Sequence, residues 1–250
     1  MPFGNLMKRV FGRGHRVPAI DRLTYAVGDI HGRADLLDQL LDLIEQDRGG
    51  APAEIIFLGD YVDRGPSSRQ VIERLLEMTA VSDLSLTFLK GNHEAAMLDF
   101  LDNAEAGLAW AQWGGDEALM SYGVKAPLSK TEIEPWSEAQ SALKEALPES
   151  HLSFLNRLQL YVVRGDYLFV HAGVNPDRPL EEQGETEFLW IRDEFLSSRR
   201  QLPYTIVHGH TPEGQPYQDS RRIGCDTGAY MSGRLTAVRL ENENVRFIQT

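Results

Sequence analysis

The sequence contains a single cysteine among its 250 residues, so no disulfide can form within the chain. Structural disulfides are typical of oxidising compartments, and their exclusion favours a cytoplasmic location. No stretch approaches the roughly 18–20 consecutive apolar residues that a transmembrane helix needs, so a membrane span is not expected. Residues 1–20 also lack the apolar block of a secretory signal peptide.

The chain is poor in basic residues, with 25 lysines and arginines against 37 aspartates and glutamates and a net charge of −12. Residues 1–20 carry four basic side chains and no acid: Lys8, Arg9, Arg13 and Arg16. The rest of the chain is therefore more acidic still, which argues against nucleic acid as the main partner. We interpret residues 1–20 as a basic, flexible leader and residues 21–250 as one domain. The sequence does not indicate an oligomeric state.

Short apolar runs rich in β-branched and aromatic residues recur along the chain, and each ends at Gly, Asp, Asn or His. They predict strands at residues 23–27, 54–58, 84–89, 167–170 and 204–207. Stretches with helical periodicity lie between the first strands, at residues 34–46, 68–78 and 94–101. This alternation predicts an α/β domain in which sequential strands run parallel.

Two segments depart from the alternation of strands and helices. Residues 234–240 and 245–248 flank a polar Glu-Asn-Glu-Asn stretch, which predicts an antiparallel hairpin at the C-terminus. Residues 103–156 contain no strong strand pattern and no chemical motif, but they include a helical pattern at residues 137–147. We therefore predict a mostly helical insertion at 103–156, beside the functional site.

Five polar clusters follow the five predicted strands directly. In chain order they are GDIHG (28–32), GDYVDRG (59–65), GNHE (91–94), HAG (171–173) and HGH (208–210). Loops that follow parallel strands share one edge of a sheet, so these clusters are expected to meet. Each residue alone has an ordinary explanation as a helix cap or turn. However, five of the seven histidines lie in the clusters, with only His15 and His151 outside them.

The residue types and their spacing favour a pair of metal ions. Asp29 and His31 are two residues apart, so in extended backbone both side chains leave the same face. Asp60 can offer one carboxylate oxygen to each of two ions. Donors for the second ion are expected from the later clusters: Asn92, His171, and either His208 or His210. Spacing alone does not choose between the last two.

In their order, GDIHG, GDYVDRG, GNHE, HAG and GHT resemble the signature of the metal-dependent serine/threonine phosphoprotein phosphatases. The likeness is strongest to the compact bacterial and phage members and spans residues 25–236. It implies a calcineurin-like metallophosphoesterase fold, a β-sandwich flanked by helices. It also implies two divalent metal ions. Manganese is favoured, with iron or zinc as alternatives, because the donors include no thiolate.

The resemblance assigns the donors by motif position. On the first ion it implies Asp29, His31 and Asp60, and on the second Asp60, Asn92, His171 and His210. The implied nucleophile is a hydroxide that bridges the two ions and attacks phosphorus directly.

The remaining catalytic roles also follow from the resemblance. It implies His93 as general acid, oriented by Asp63, and Arg64 and Arg192 as phosphate-binding arginines. An imidazole can protonate a leaving oxygen, and guanidinium groups can bind the non-bridging phosphate oxygens. Three further residues are not expected to be ligands. Glu94 is predicted to be structural at a helix N-terminus, Cys225 is predicted to lie in the core, and Asp226 is predicted either to form a turn or to support the ligands from behind.

Three hypotheses for function follow. The favoured one is a phosphatase of phosphoserine and phosphothreonine in proteins, with phosphotyrosine as an additional candidate. The alternative is hydrolysis of dinucleoside polyphosphates such as diadenosine tetraphosphate, by enzymes that look similar at these loops. Asp63 favours the first, since the dinucleotide enzymes tend to lack an acid there. A non-catalytic binding protein with a relic site is the third, but every implied ligand position is filled.

Overall fold

The computed structural model describes residues 17–81, 83–129 and 131–250, so most of the predicted basic leader lies outside the described residues. The strands are β1 (Ile20–Val27), β2 (Glu54–Phe57), β3 (Ser85–Phe88), β4 (Tyr161–Arg164), β5 (Tyr167–Val170), β6 (Thr205–His208), β7 (Tyr217–Gln218), β8 (Arg222–Gly224), β9 (Thr236–Asn242) and β10 (Asn244–Gln249). The helices are α1 (Ala34–Arg48), α2 (Ser68–Val81), α3 (Asn92–Asp102), α4 (Gly107–Trp110), α5 (Gly115–Ser121), α6 (Glu134–Ala146), α7 (Glu149–Asn156), α8 (Glu185–Trp190), α9 (Asp193–Leu196) and α10 (Ala229–Ser232).

The strands form two mixed sheets rather than one. The first has the order β10-β9-β1-β2-β3, and the second has the order β4-β5-β6-β8-β7. β1, β2 and β3 are parallel to one another, as are β5, β6 and β8. The expectation that all five chemical clusters follow strands of a single sheet was therefore wrong, whereas the calcineurin-like fold and its β-sandwich are confirmed.

Alternation along the strands explains why the sheets pack face to face. In β2, Ile56 points into the core between the sheets, while Ile55 and Phe57 point toward the helices. The second sheet behaves in the same way, with Phe169 between the sheets and Leu168 on the opposite face. Successive strand side chains leave opposite faces, so strands that are apolar at every position supply two cores at once.

The helices cover the outer faces of the two sheets. The apolar stripe of α1 is buried against the first sheet, and the helix ends at Gly49, whose left-handed conformation lets its N–H donate to the Glu45 carbonyl. Helices α8 and α9 contribute Phe188 and Phe195 to the core outside the second sheet. Within the described residues no helix has the length and apolar character needed to cross a membrane.

Residues 104–156 form a series of short helices and 3₁₀ turns, from α4 to α7, without a strand among the described residues. Trp136 is fully buried and packs edge-on against Phe100, with its indole N–H donating to the Ser129 carbonyl at 2.9 Å. Gly107 lies against the same ring, and a Cβ at that position would come within 2.4 Å of it. These contacts attach the segment firmly to α3.

The predicted strands and the C-terminal hairpin are present to within a few residues at each end. Outside the helical segment, three strands and three helices were missed: β4, β7, β8, α8, α9 and α10. Every residue of β4 is only half-buried, unlike the fully buried β2 and β5, and β7 is only two residues long. Cys225 is fully buried, as predicted, and burial raises the pKa of its thiol.

Replacing Trp136 with alanine tests the packing of the helical segment. We expect the free energy of unfolding to fall by about 3–5 kcal/mol, the usual cost of removing a buried aromatic side chain. Denaturant unfolding measures this, with Leu128→Ala as the control because Leu128 is 91% exposed. The control is expected to stay within about 0.5 kcal/mol of the unmodified protein. A Trp136→Ala loss as small as the control's would contradict the packing described.

Candidate metal centre and its surroundings

Loops that follow strands of both sheets converge on Asp60. The loops after β1, β2 and β3 come from the first sheet, and those after β5 and β6 come from the second. Two groups of buried side chains that could hold a metal ion share this aspartate, and within each group the donor atoms lie within 4.8 Å of one another. One group is His31, Asp60 and His93, and the other is Asp60, His171 and His210.

In the first group, His31 Nε2 lies 3.4 Å from Asp60 Oδ2. His31 Nδ1 is 2.9 Å from the Val62 carbonyl oxygen, which can only accept. The proton is therefore on Nδ1, and the Nε2 lone pair faces the carboxylate side of the site, as a metal ligand requires. His93 Nε2 lies 3.8 Å from the same Asp60 oxygen, and this proximity was not anticipated from the sequence.

The second group is built around the other Asp60 oxygen. His171 Nε2 is 3.4 Å from Asp60 Oδ1 and 2.9 Å from Asn92 Oδ1. His171 Nδ1 donates to the Leu58 carbonyl, so its Nε2 is an acceptor, and burial lowers the pKa of this imidazole to about 3. Two acceptors in contact repel each other unless a cation lies beside both. His210 Nδ1 also contacts Asn92 Oδ1, at 2.8 Å.

Asp29 lies at the edge of this cluster. Its carboxylate accepts hydrogen bonds from the backbone N–H of His210, at 3.0 and 3.1 Å. Gly209 makes the contact possible, because a Cβ there would be 2.0 Å from Asp29 Oδ1. Asp226 accepts from the Gly228 N–H at 2.8 Å, and its charge is near enough to raise the pKa of Asp29.

The residues fit a pair of divalent cations. Burial raises the pKa of Asp60 to about 7 and that of Asp226 to about 6, and burial with repulsion from neighbouring acids raises that of Asp29 well above its ordinary value. Ionised carboxylates crowded in a buried site need positive charge nearby. His210 Nε2 is buried with no hydrogen-bond partner among the described residues, and imidazole and carboxylate donors suit manganese, iron or zinc.

His93 lies between an acid and an arginine. Its Nδ1–H donates to Asp63 Oδ2 at 2.6 Å, and its Nε2 accepts from the Arg64 guanidinium at 3.2 Å. The indole N–H of Trp110 donates to the same Asp63 oxygen at 2.7 Å, which fixes the carboxylate. Burial lowers the pKa of His93. Trp110 was missed because the sequence of the 103–156 segment carries no chemical motif.

Two arginines lie at the mouth of the site. The Arg64 guanidinium lies 4.8 Å from the centre of the Tyr230 ring, which also meets His31 edge-on. Arg192 is exposed, and its charge helps to lower the pKa values of His93 and His210. Arg64 therefore lies directly beside the cluster, and the positive charge of Arg192 acts on the same imidazoles. Tyr230 had no signal in the sequence, since it lies outside all five clusters.

Backbone strain is concentrated at the site. In the described part of the chain six non-glycine residues have positive φ, and five of them belong to the clusters: His31, Asp60, Asp63, Arg64 and His210. Glu94 supports the strained Asp60 loop, because its carboxylate accepts from the backbone N–H groups of Asp60, Tyr61, Val62 and Gly91 at 2.7–3.2 Å. Glu94 thus has a structural role.

His208 and His210 differ clearly in their surroundings. His208 Nδ1 donates to the Gly209 carbonyl, and its Nε2 accepts from Arg222 at 3.1 Å, so both ring nitrogens are engaged away from Asp60. His210 instead faces Asn92 and the second donor group. This geometry supports the choice of His210 that the Gly-His-Thr motif suggested, and its metal ligation stays a prediction.

The family model for calcineurin-like phosphoesterases matches residues 23–248, so the chain belongs to that family. It is therefore a phosphoesterase of a family that uses divalent metals. Two of its relatives are the asymmetrical bis(5′-nucleosyl)-tetraphosphatases PrpE of Halalkalibacterium halodurans and Bacillus subtilis, which are 26% and 23% identical to it. Each alignment covers 85% of this chain and 88% of the relative.

Solved structures show the same fold. A proposed diadenosine tetraphosphatase superposes with a TM-score of 0.64 at 20% identity, over 93% of this chain and 95% of the other. A cold-active protein tyrosine phosphatase gives a TM-score of 0.55 at 16% identity, over 91% of this chain and 78% of the other. At such low identity these likenesses concern the fold alone.

The preference for phosphoserine and phosphothreonine in proteins was wrong, because the relatives are named as tetraphosphatases of dinucleosides. The preference depended on Asp63. In the structure the Asp63 carboxylate is held between His93 and Trp110. Asp63 is fully buried against these two side chains, so its presence gives no physical reason to favour a peptide over a dinucleotide.

Asp60→Asn tests the shared ligand. We expect the variant to lose both metal ions and turnover, because one carboxylate serves both donor groups. Its metal-free form should fold at least as well as the unmodified protein, since burial already raises the pKa of Asp60 to about 7 and disfavours its charged form. Metal quantification and thermal unfolding in chelator measure the two effects. The control is Asp21→Asn at an exposed position. A variant that retains two ions would contradict the shared site.

Proposed function

We propose that this chain hydrolyses dinucleoside polyphosphates, with diadenosine tetraphosphate as the representative substrate. The observation that carries the proposal is the pair of donor groups that meet at Asp60, with the Arg64 guanidinium in contact with His93 of the first group. The named activity of the relatives supports the substrate class. We propose cleavage into unequal products, AMP and ATP, because those relatives are described as asymmetrical.

The metal ions in this proposal are two divalent cations, with manganese favoured over iron or zinc. The residues that would hold them are Asp29, His31, Asp60, Asn92, His171 and His210. When bound, such ions polarise phosphate oxygens and activate water for attack on phosphorus.

The chain's own residues bind and orient the substrate. Arg64 and Arg192 flank the cluster, so their guanidinium groups can bind the non-bridging oxygens of the phosphate under attack. His93 is directed by its bond to Asp63, which leaves Nε2 facing the site. Once Nε2 also carries a proton taken up from solvent, the imidazolium can donate it to the leaving oxygen and return to its neutral form. Burial of the cluster strengthens all of these interactions.

A direct comparison of substrates tests the proposal. Manganese-loaded protein is expected to hydrolyse diadenosine tetraphosphate with a higher kcat/KM than a phosphoserine peptide, and chromatography should show AMP and ATP as products. Chelator treatment followed by gel filtration should abolish both activities, and added manganese should restore them. A higher efficiency on the phosphopeptide would overturn the proposed substrate class, and two molecules of ADP would overturn the asymmetric cleavage.

His93→Ala tests the assignment of the proton donor through the basicity of the leaving group. An alkyl phosphate such as phosphoserine leaves as a strongly basic alkoxide, so its turnover should fall by about 10²–10⁴-fold, the usual worth of general acid catalysis. A nucleotide departs through a phosphate oxygen whose pKa is about 6, so the loss for diadenosine tetraphosphate should be much smaller. Kinetics on both substrates, with metal measured in the same preparation, check this.

Asp63→Asn provides the matched variant, because it weakens the orientation of His93 without removing the imidazole. It should show a milder form of the same difference between substrates. Equal losses on the two substrates would rule out the proton-donor role. Loss of metal from His93→Ala would instead make His93 a ligand, as its 3.8 Å distance from Asp60 allows.

A further inference from the structure

Two tryptophans stand exposed beside the candidate metal centre. Of the chain's four tryptophans, Trp110 and Trp136 are fully buried, whereas Trp113 and Trp190 remain 38% and 36% exposed. The exposed two come from different segments and contact each other, with ring centroids 5.0 Å apart and ring planes at 56°. Single exposed aromatic residues are ordinary, but a contacting pair forms a continuous apolar face that suits a ligand.

The tryptophan pair is connected to the site on both sides. The Trp190 ring meets the His210 ring edge-on, with centroids 6.3 Å apart. The Trp113 carbonyl accepts a hydrogen bond from Arg64 Nε at 3.4 Å, and the same guanidinium contacts His93. A group that stacks on this pair therefore lies close to a phosphate bound by Arg64.

The cavity that borders the tryptophan pair has a negatively charged lining, which is unfavourable for phosphate. Its volume is about 500 Å³, and its lining includes both tryptophans together with Lys90, three carboxylates and small apolar side chains. The carboxylates belong to Asp99, Asp102 and Glu185, and Glu185 forms an ion pair with Lys90 at 2.7 Å. One lysine against three acids repels a polyphosphate, whereas an uncharged ring with amino donors is compatible with such a wall.

We infer that Trp113 and Trp190 form the binding site for a nucleobase of the substrate, adenine in diadenosine tetraphosphate. This inference rests on the proposed function. Because the two rings are already in contact, the base stacks on the exposed face of the pair and not between its members. The attached phosphates then extend toward Arg64. They do not extend into the cavity, because its acidic wall repels them. An exocyclic amino group of the base can donate to a carboxylate of that wall.

Trp113→Leu tests the inference, because it removes the aromatic face while keeping an apolar side chain and the backbone carbonyl that Arg64 uses. Loss of one stacked base should lower kcat/KM for diadenosine tetraphosphate by about 5- to 150-fold, mainly through KM. Turnover of p-nitrophenyl phosphate, which has no base, should stay unchanged. Trp113→Phe should recover most of the loss, and Leu128→Ala at a remote exposed position should change neither substrate.

A binding measurement separates this inference from the proposed function. Titration calorimetry of the metal-loaded protein should show tighter binding of AMP than of ribose 5-phosphate, and Trp113→Leu should abolish the difference. If the protein fails to cleave diadenosine tetraphosphate but this difference is present, the proposed function fails and the base site stands. If the protein cleaves it and Trp113→Leu retains full efficiency, the base site is wrong. Equal losses on both substrates would also overturn it, since Trp113 would then act through Arg64.

Discussion

The buried carboxylate of Asp60 is the constraint on which the rest of the site depends. Its two oxygens face different imidazoles, His31 on one side and His171 on the other, each at 3.4 Å. Burial disfavours its charge, and Asp29 and Asp226 add further acid nearby. Such an arrangement is stable in its ionised form only with cations beside it. The loop of Asp60 has a strained backbone, and the Glu94 carboxylate stabilises it by accepting hydrogen bonds from the backbone N–H groups of Asp60 and Tyr61.

The two-sheet architecture explains how five short loops reach one point. Three of them follow parallel strands of the first sheet, and two follow parallel strands of the second, so the sandwich brings both carboxyl edges together. The helical segment between β3 and β4 then completes the surroundings. Trp110 from this segment fixes Asp63, and Trp113 extends the site outward toward Trp190. The pair of exposed tryptophans thus joins this segment to α8, whereas the donor groups at Asp60 come from the loops of the five motifs.

Much of the fold was predictable from the sequence because buried parallel strands give short apolar runs, as in residues 55–57 of β2 and throughout β5. Strand β4 was not predicted. Its four residues are all half-buried, so they show neither full burial nor an alternation of buried and exposed positions. The meeting of the five motifs could be expected because each directly follows a strand, and two donor groups do meet at Asp60, whereas metal ligation and catalysis by these residues stay predictions. Trp110 and Tyr230 were not anticipated, since their contacts depend on the tertiary path of segments without motifs. The substrate class was mispredicted from Asp63, which is buried against His93 and Trp110 and gives no physical reason to prefer a protein substrate.

Electron paramagnetic resonance of the protein loaded with two equivalents of manganese(II) tests the shared carboxylate most directly. Two ions held by one aspartate lie close together, so their electron spins interact and give the broad spectrum of a coupled pair. The account predicts that spectrum, and it predicts that Asp60→Asn shows only the sharp six-line signal of unbound or isolated manganese. An uncoupled six-line spectrum from the unmodified protein with two ions bound would contradict a dinuclear centre at Asp60.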